Sequence, residues 1–262
     1  MIALERRGGR PLRIGHRGAA ALAPENTLAA FRAARDAGVD AVEFDLLRLG
    51  SGEIVVAHSN DLHEVSHGAA RGTVQDKDLA ELRESSPDVP TLDDAIAFFV
   101  DEAPELGAHA DVKSPSAVVE VGRALVRAGL VERAYVTSAH VRPLRALARR
   151  EPDLRIALTF PRSVLGISDS GTGAPVARVA LWAVRGLLPA FVNLLLRSSR
   201  TTALSLHHSV VTARAVERAH RHGAAVIAWT VDDRTELARV VDAGVDAVVS
   251  NDPSTFASTL RA

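Results

Sequence analysis

The chain has no cysteine among its 262 residues, which excludes a disulfide framework, a thiolate metal site and a cysteine nucleophile together. Any catalysis must use histidine, carboxylate, hydroxyl or lysine. Lysine is scarce as well: Lys77 and Lys113 are the only two among 31 basic side chains, an arginine bias that says little about function. No charge excess exists either, since the formal net charge is -1 and the pI about 6.8. A balance of that kind gives no blanket basic surface, so nucleic acid is not an expected partner. The stretch MIALERRGGRPLRIGHRG lacks the apolar run and small-residue cleavage site of a secretory signal, and the expectation is a cytoplasmic protein. With 47% hydrophobic and 24% charged residues, the composition is neither disordered nor fibrous, and the length allows a substantial core.

What is present is a rhythm. Short β-rich runs at Leu12–His16, Ala41–Leu46, Gly107–Val112, Ala134–Ser138, Arg155–Thr159, Ala203–Leu206, Ala225–Thr230 and Asp246–Ser250 predict eight strands. Helical patterns fit between most of them, at Asn26–Ala37, Leu92–Val100, Ala117–Ala128, Val141–Arg150, Thr212–His222 and Arg234–Ala243. Parallel strands joined by helical crossovers, eight times over, predict an α/β fold, a TIM (β/α)8 barrel in one domain over residues 1–262. The segment Asp36-Ala-Gly-Val-Asp-Ala-Val42 recurs as Asp242-Ala-Gly-Val-Asp-Ala-Val248, a repeated helix cap leading into a strand. Two connections exceed an ordinary barrel loop: 47–90, with a hairpin-like strand at Glu53–Ala57, and 160–202. The latter carries an apolar tract from Ala174 to Leu196, broken by Arg178, Arg185 and Pro189. Because it follows the fifth barrel strand, it is expected as an apolar helical insertion on the catalytic face. Its arginines and the proline, expected to interrupt the helix, argue against a bilayer span, whereas peripheral contact with a membrane through 174–196 fits its composition.

In such a barrel the C-terminal strand ends and the loops after them form the active site. His16-Arg17-Gly18 ends the first strand. Glu43 and Asp45 share one face of the second, His109, Asp111 and Lys113 one face of the third, and His58 ends the excursion between them. Ser138, His207, His208, Trp229, Ser250 and Asn251 complete the rim. Three converging carboxylates repel one another unless a cation neutralises them, and all-oxygen ligation by Glu43, Asp45 and Asp111 favours Mg²⁺ or Ca²⁺. Two histidines with Arg17 and Lys113 then suggest acid/base chemistry on an anionic ester.

The residues His16-Arg17-Gly18, Pro24-Glu25-Asn26-Thr27, Glu43-Phe44-Asp45, His58, Pro90-Thr91-Leu92, Asp111-Val112-Lys113, Trp229-Thr230-Val231 and Gly244-Val245-Asp246 resemble, in order, the glycerophosphodiester phosphodiesterase family. That resemblance implies His16 and His58 as the acid/base pair, Glu43, Asp45 and Asp111 as metal ligands, and Arg17, Lys113 and Trp229 at the substrate. It also implies cleavage of a glycerophosphodiester to glycerol phosphate and an alcohol. The chain departs from the family pattern at His58-Ser59, His63-Glu64-Val65, Asp111 in place of the usual Glu, and Ser250-Asn251-Asp252-Pro253. Its Asp-x-Lys is similar to that of the related sphingomyelinase D enzymes, so lysophospholipase D-like or sphingomyelinase D-like activity on a lipid phosphodiester is the alternative; a barrel that binds phosphodiesters without turnover is a third.

Overall fold

The structure, a computed structural model, describes residues 9–161 and 175–258, with side chains from 182 to 256 in the second stretch. The strands are β1 (Leu12–Gly15), β2 (Ala41–Arg48), its short antiparallel partner β3 (Ile54–Val56), β4 (Gly107–Val112), β5 (Ala134–Ser138), β6 (Arg155–Phe160), β7 (Ala203–His207), β8 (Ala225–Trp229) and β9 (Ala247–Ser250). All but β3 run parallel, and β1 pairs with both β2 and β9, so the eight close into a barrel. Helices α1 (Leu28–Asp36), α2 (Leu62–Val65), α3 (Leu79–Ser85), α4 (Leu92–Ala97), α5 (Val118–Arg127), α6 (Val141–Arg150), α7 (Pro175–Ser199), α8 (Ala213–His220) and α9 (Arg234–Asp242) fill the connections. The expected TIM barrel is observed.

Strand alternation builds two cores and the site between them. Outward residues meet the helices, as where Phe31 of α1 packs 5.5 Å from Phe44 of β2 and from Phe98. Inward residues change character along each strand: Leu12, Ile14, Ala41, Tyr135, Ala157 and Ala203 form an apolar interior cluster. The next inward positions, Glu43, Asp45, Thr137, Thr159 and Ser205, are polar. The barrel is thus packed shut below and ionisable above, at the ends where its loops begin.

Several elements differ from expectation for local reasons. The helix from Leu92 turns into a π-helical turn at Phe98–Glu102. The 47–90 excursion carries α2 and α3 over an apolar cluster of its own, including Leu62, Val74 and Leu82. Pro189 does not end α7, which continues through it to Ser199. Leu188, Val192 and Leu196 are buried against the barrel, and that burial offsets the roughly 3 kcal/mol a helix-interior proline costs. From Leu188 onward α7 serves as the crossover helix between β6 and β7. The expected apolar side chains Val176, Val179 and Leu181, with Arg178, lie outside the described residues. No described helix is long and apolar enough to cross a membrane.

Candidate active site

The loop after β1 sets the geometry. Arg17 and Gly18 both adopt positive φ, 51° and 88°, and a Cβ on Gly18 would lie 2.5 Å from the Ala30 backbone. Glycine therefore lets α1 approach closely enough to bring the Pro24–Thr27 loop over β2. Asn26, itself left-handed with φ 58°, clamps Asp45 from there: its Nδ2 donates to Asp45 Oδ2 at 3.0 Å, and its Oδ1 accepts from the Asp45 N–H at 3.1 Å. Thr27 caps α1 by accepting from the Ala30 N–H.

Register on the neighbouring strands brings the acids together. Asp45 is level with Asp111, and Glu43 with His109. All three carboxylates are buried, and one oxygen from each of Glu43, Asp45 and Asp111 lies within 4.8 Å of the others. The Arg17 N–H donates to Glu43 Oε2 at 2.9 Å. Lys113 Nζ is 2.8 Å from Asp45 Oδ1 and 2.6 Å from Asp111 Oδ2. Thr137, on β5, donates to Asp111 Oδ1 at 2.8 Å.

Electrostatics separate the three acids. Burial raises the Glu43 carboxyl well above the usual range, and the charges of Asp45 and Asp111 push it further. Burial would raise Asp45 too, but Lys113, His58 and Arg17 outweigh it and hold the group well below its ordinary value. Asp111 is likewise held low, with Lys113 opposing the effect of burial. Burial pushes His109 down to about 3, so it is neutral and not a source of charge in the site.

The two histidines of the His-Arg-Gly and excursion segments flank this cluster differently. His16 Nδ1–H donates to Asn251 Oδ1 at 2.7 Å, while its Nε2 lies 3.8 Å from Glu43 Oε2. Asn251 is oriented in turn by Asp232, which accepts from Asn251 Nδ2 at 2.7 Å and from its backbone N–H at 2.8 Å. His58 is half-buried and, with Arg17, lines a cavity of about 460 Å³ between the Pro24–Thr27 loop and the 47–90 excursion. Arg17 Nη1 donates to both Glu25 oxygens at 2.9 Å, and its Nε is 3.2 Å from Asp45 Oδ2. Trp229 stands at the end of β8 with the His207 ring edge-on at 5.1 Å.

A sequence model of the glycerophosphoryl diester phosphodiesterase family matches residues 16–255. The chain belongs to this family. It is a family of phosphoric diester hydrolases, and the curated relatives agree. A glycerophosphodiester phosphodiesterase of Arabidopsis thaliana is 28% identical, covering 94% of this chain and 72% of the relative. One from Caldanaerobacter subterraneus is 25% identical over 95% of this chain and 97% of the relative. Among solved structures, the glycerophosphodiester phosphodiesterase of Thermotoga maritima superimposes with a TM-score of 0.72 at 21% identity, covering 96% and 99% of the two chains. An Oleispira antarctica phosphodiesterase solved with its product sn-glycerol-3-phosphate gives 0.72 at 22% identity, with 95% and 96% covered. At such identities these two speak for the shared barrel.

The donor set fits a divalent cation. It is all oxygen, buried and triply acidic, and Asp45 Oδ1, although in charge contact with Lys113, accepts no hydrogen bond. Of the residues singled out from sequence, His16, Arg17, Glu43, Asp45, Asp111 and Lys113 form one connected cluster, His58 faces the adjoining cavity and Trp229 the rim. Sequence reasoning assigned no part to Thr137, Asp232 or the Asn26 clamp. Thr137 had a signal, being inward on β5 and level with Asp111; Asp232 had none, since its contact with Asn251 exists only once the barrel closes.

Proposed function

We propose that the chain hydrolyses glycerophosphodiesters to glycerol phosphate and an alcohol, with His16 as base and His58 as acid. The observation that carries this reading is the fixed orientation of His16. Its Nδ1–H is committed to Asn251, so Nε2 holds the lone pair and faces the acidic cluster, where it can take a proton. A substrate hydroxyl adjacent to the phosphate attacks phosphorus and gives its proton to His16 Nε2. The bond from phosphorus to the alcohol oxygen breaks, and His58 supplies the proton that oxygen needs. Water then opens the cyclic phosphate, the two histidines exchanging roles.

The cavity beside His58 supports placing the departing alcohol there. Arg17 and Lys113, both within ion-pair reach of Asp45, are the fixed cations to which phosphate oxygens would turn. Glu43, Asp45 and Asp111 would hold the divalent cation, Mg²⁺ or Ca²⁺, which supplies charge neutralisation to the phosphoryl oxygens when bound. Trp229 offers an apolar wall at the end of β8.

The test is release of choline from glycerophosphocholine by pure protein with either metal. His16→Ala and His58→Ala, each folded, should lose about two to four orders of magnitude in kcat; full activity in both would overturn the assignment. A second reading, turnover of lipid-linked phosphodiesters, is favoured by the outward apolar residues of α7. A higher kcat/KM for lysophosphatidylcholine than for glycerophosphocholine would establish it instead.

A further inference from the structure

Charge is distributed unevenly around this barrel. Residues 140–222 hold thirteen arginines against four acids, a net +9 in a chain whose total is -1, so the remainder carries -10. Within this stretch lie three adjacent helices, α6 beside α7 and α7 beside α8. Four exposed arginines lie on α6, Arg197 on α7 and Arg214 and Arg218 on α8, and Glu217 is the single acid in the three helices.

In the middle of this flank α7 turns apolar side chains outward. Trp182 is 78% exposed, Leu187 59%, Phe191 48% and Leu194 61%. These are four of the six large apolar side chains exposed among the described residues, so the helix is singular in this. Leu187, Phe191 and Leu194 recur at i, i+4 and i+7 and form one stripe, while Leu188, Val192 and Leu196 make the face against the barrel. Arg185 Nη1 donates to the Ser209 carbonyl at 3.3 Å, which fixes that level of α7 beside the loop after β7, at the catalytic rim. A cavity of about 540 Å³ at the same level is lined by Trp182, Leu187, Pro189, Arg185 and Arg214, with no acid among its residues.

We propose that the α6–α8 flank is a docking surface for an anionic lipid membrane, with α7 in the headgroup plane and the catalytic rim at its edge. Outward Trp, Leu and Phe enter the acyl boundary while the surrounding arginines meet lipid phosphates. A second copy of the chain is a poor occupant, because two flanks of like charge repel. A nucleic-acid backbone would suit the arginines but offers nothing to Leu187 and Leu194.

The test is co-sedimentation of the protein with vesicles of phosphatidylcholine alone or of phosphatidylcholine mixed with phosphatidylglycerol. The wild type should bind the anionic vesicles about tenfold or more better, and less so as salt rises. Trp182→Ser/Phe191→Ser should lose binding, and Arg145→Gln/Arg149→Gln/Arg214→Gln should lose the anionic preference. Both should hydrolyse soluble glycerophosphocholine as the wild type does, which also reports that they are folded. Failure of the wild type to bind, equal binding to both vesicles, or undiminished binding by the Trp182/Phe191 variant would overturn the proposal. So would binding of duplex DNA without vesicle binding, or a dimer in sedimentation velocity that Phe191→Ser dissociates. Absence of hydrolysis by every form would count against the catalytic reading and leave the vesicle result to stand or fall by itself.

Discussion

Thr137→Val isolates one hydroxyl group behind the acidic cluster. Thr137 is fully buried. Its single hydroxyl proton goes to Asp111 Oδ1 at 2.8 Å, so the 2.9 Å contact with His109 Nε2 must be donated by the imidazole. That chain fixes His109 as the Nε2–H tautomer, consistent with a ring that burial keeps neutral and whose Nδ1 accepts no hydrogen bond. Valine preserves the shape and removes the relay. A hydrogen bond to a charged carboxylate contributes about 1.5–3 kcal/mol, and the His109 N–H is left buried without a partner, so the fold should lose about 2–4 kcal/mol in total. Asp111, held then by Lys113 at Oδ2 and by only the longer 3.4 Å hydrogen bond from Thr159 at Oδ1, should bind metal about ten- to a hundredfold more weakly, the usual scale for groups that orient a ligand. The measurement is calorimetric titration of Mg²⁺ or Ca²⁺ into purified protein, with thermal denaturation alongside. Thr137→Ser, which keeps the hydroxyl and loses a methyl group, should bind metal within a few-fold of wild type. Wild-type affinity in Thr137→Val, or an equal loss in Thr137→Ser, would show that the hydroxyl does not orient Asp111.

Two further outcomes follow from particular contacts. Asn251→Leu removes the acceptor that fixes the His16 tautomer and should lower kcat by about ten- to a hundredfold, the worth of one hydrogen bond to a reacting group, with little change in KM; an unchanged kcat would remove Asn251 from the mechanism. Asp40, at the opposite end of the barrel, is held by Arg10 and Arg13, which overcome the effect of burial and keep its carboxyl at about 2 against an ordinary 3.8. A depressed folded value stabilises the protein above about pH 4 and is lost as pH falls through about 2. Asp40→Asn should therefore cost about 1–2 kcal/mol at neutral pH, discounted for screening at the half-buried arginines, and the difference should vanish in acid-titrated urea unfolding near pH 2.

The parts of this protein legible in its sequence are those governed by short-range periodicity. A period of two placed Glu43 with Asp45 and His109 with Asp111 on inward faces, and the rule that barrel loops carry function placed them at the right ends. What was not legible depends on closure or on competition between terms. Asp232 lies 19 residues from Asn251 and reaches it only because β8 and β9 run side by side, so no local pattern announces the support behind His16. Pro189 reads as a helix break by propensity alone, yet it is bracketed by Leu188 and Val192, whose burial exceeds what the lost backbone hydrogen bond costs. Net charge is silent on charge placement for a related reason: a total of -1 conceals a +9 segment, because composition sums over faces that the fold later separates. The arginine bias, uninformative as a count, becomes a spatial feature when α6, α7 and α8 set exposed arginines on one flank around the exposed Trp182, Leu187, Phe191 and Leu194.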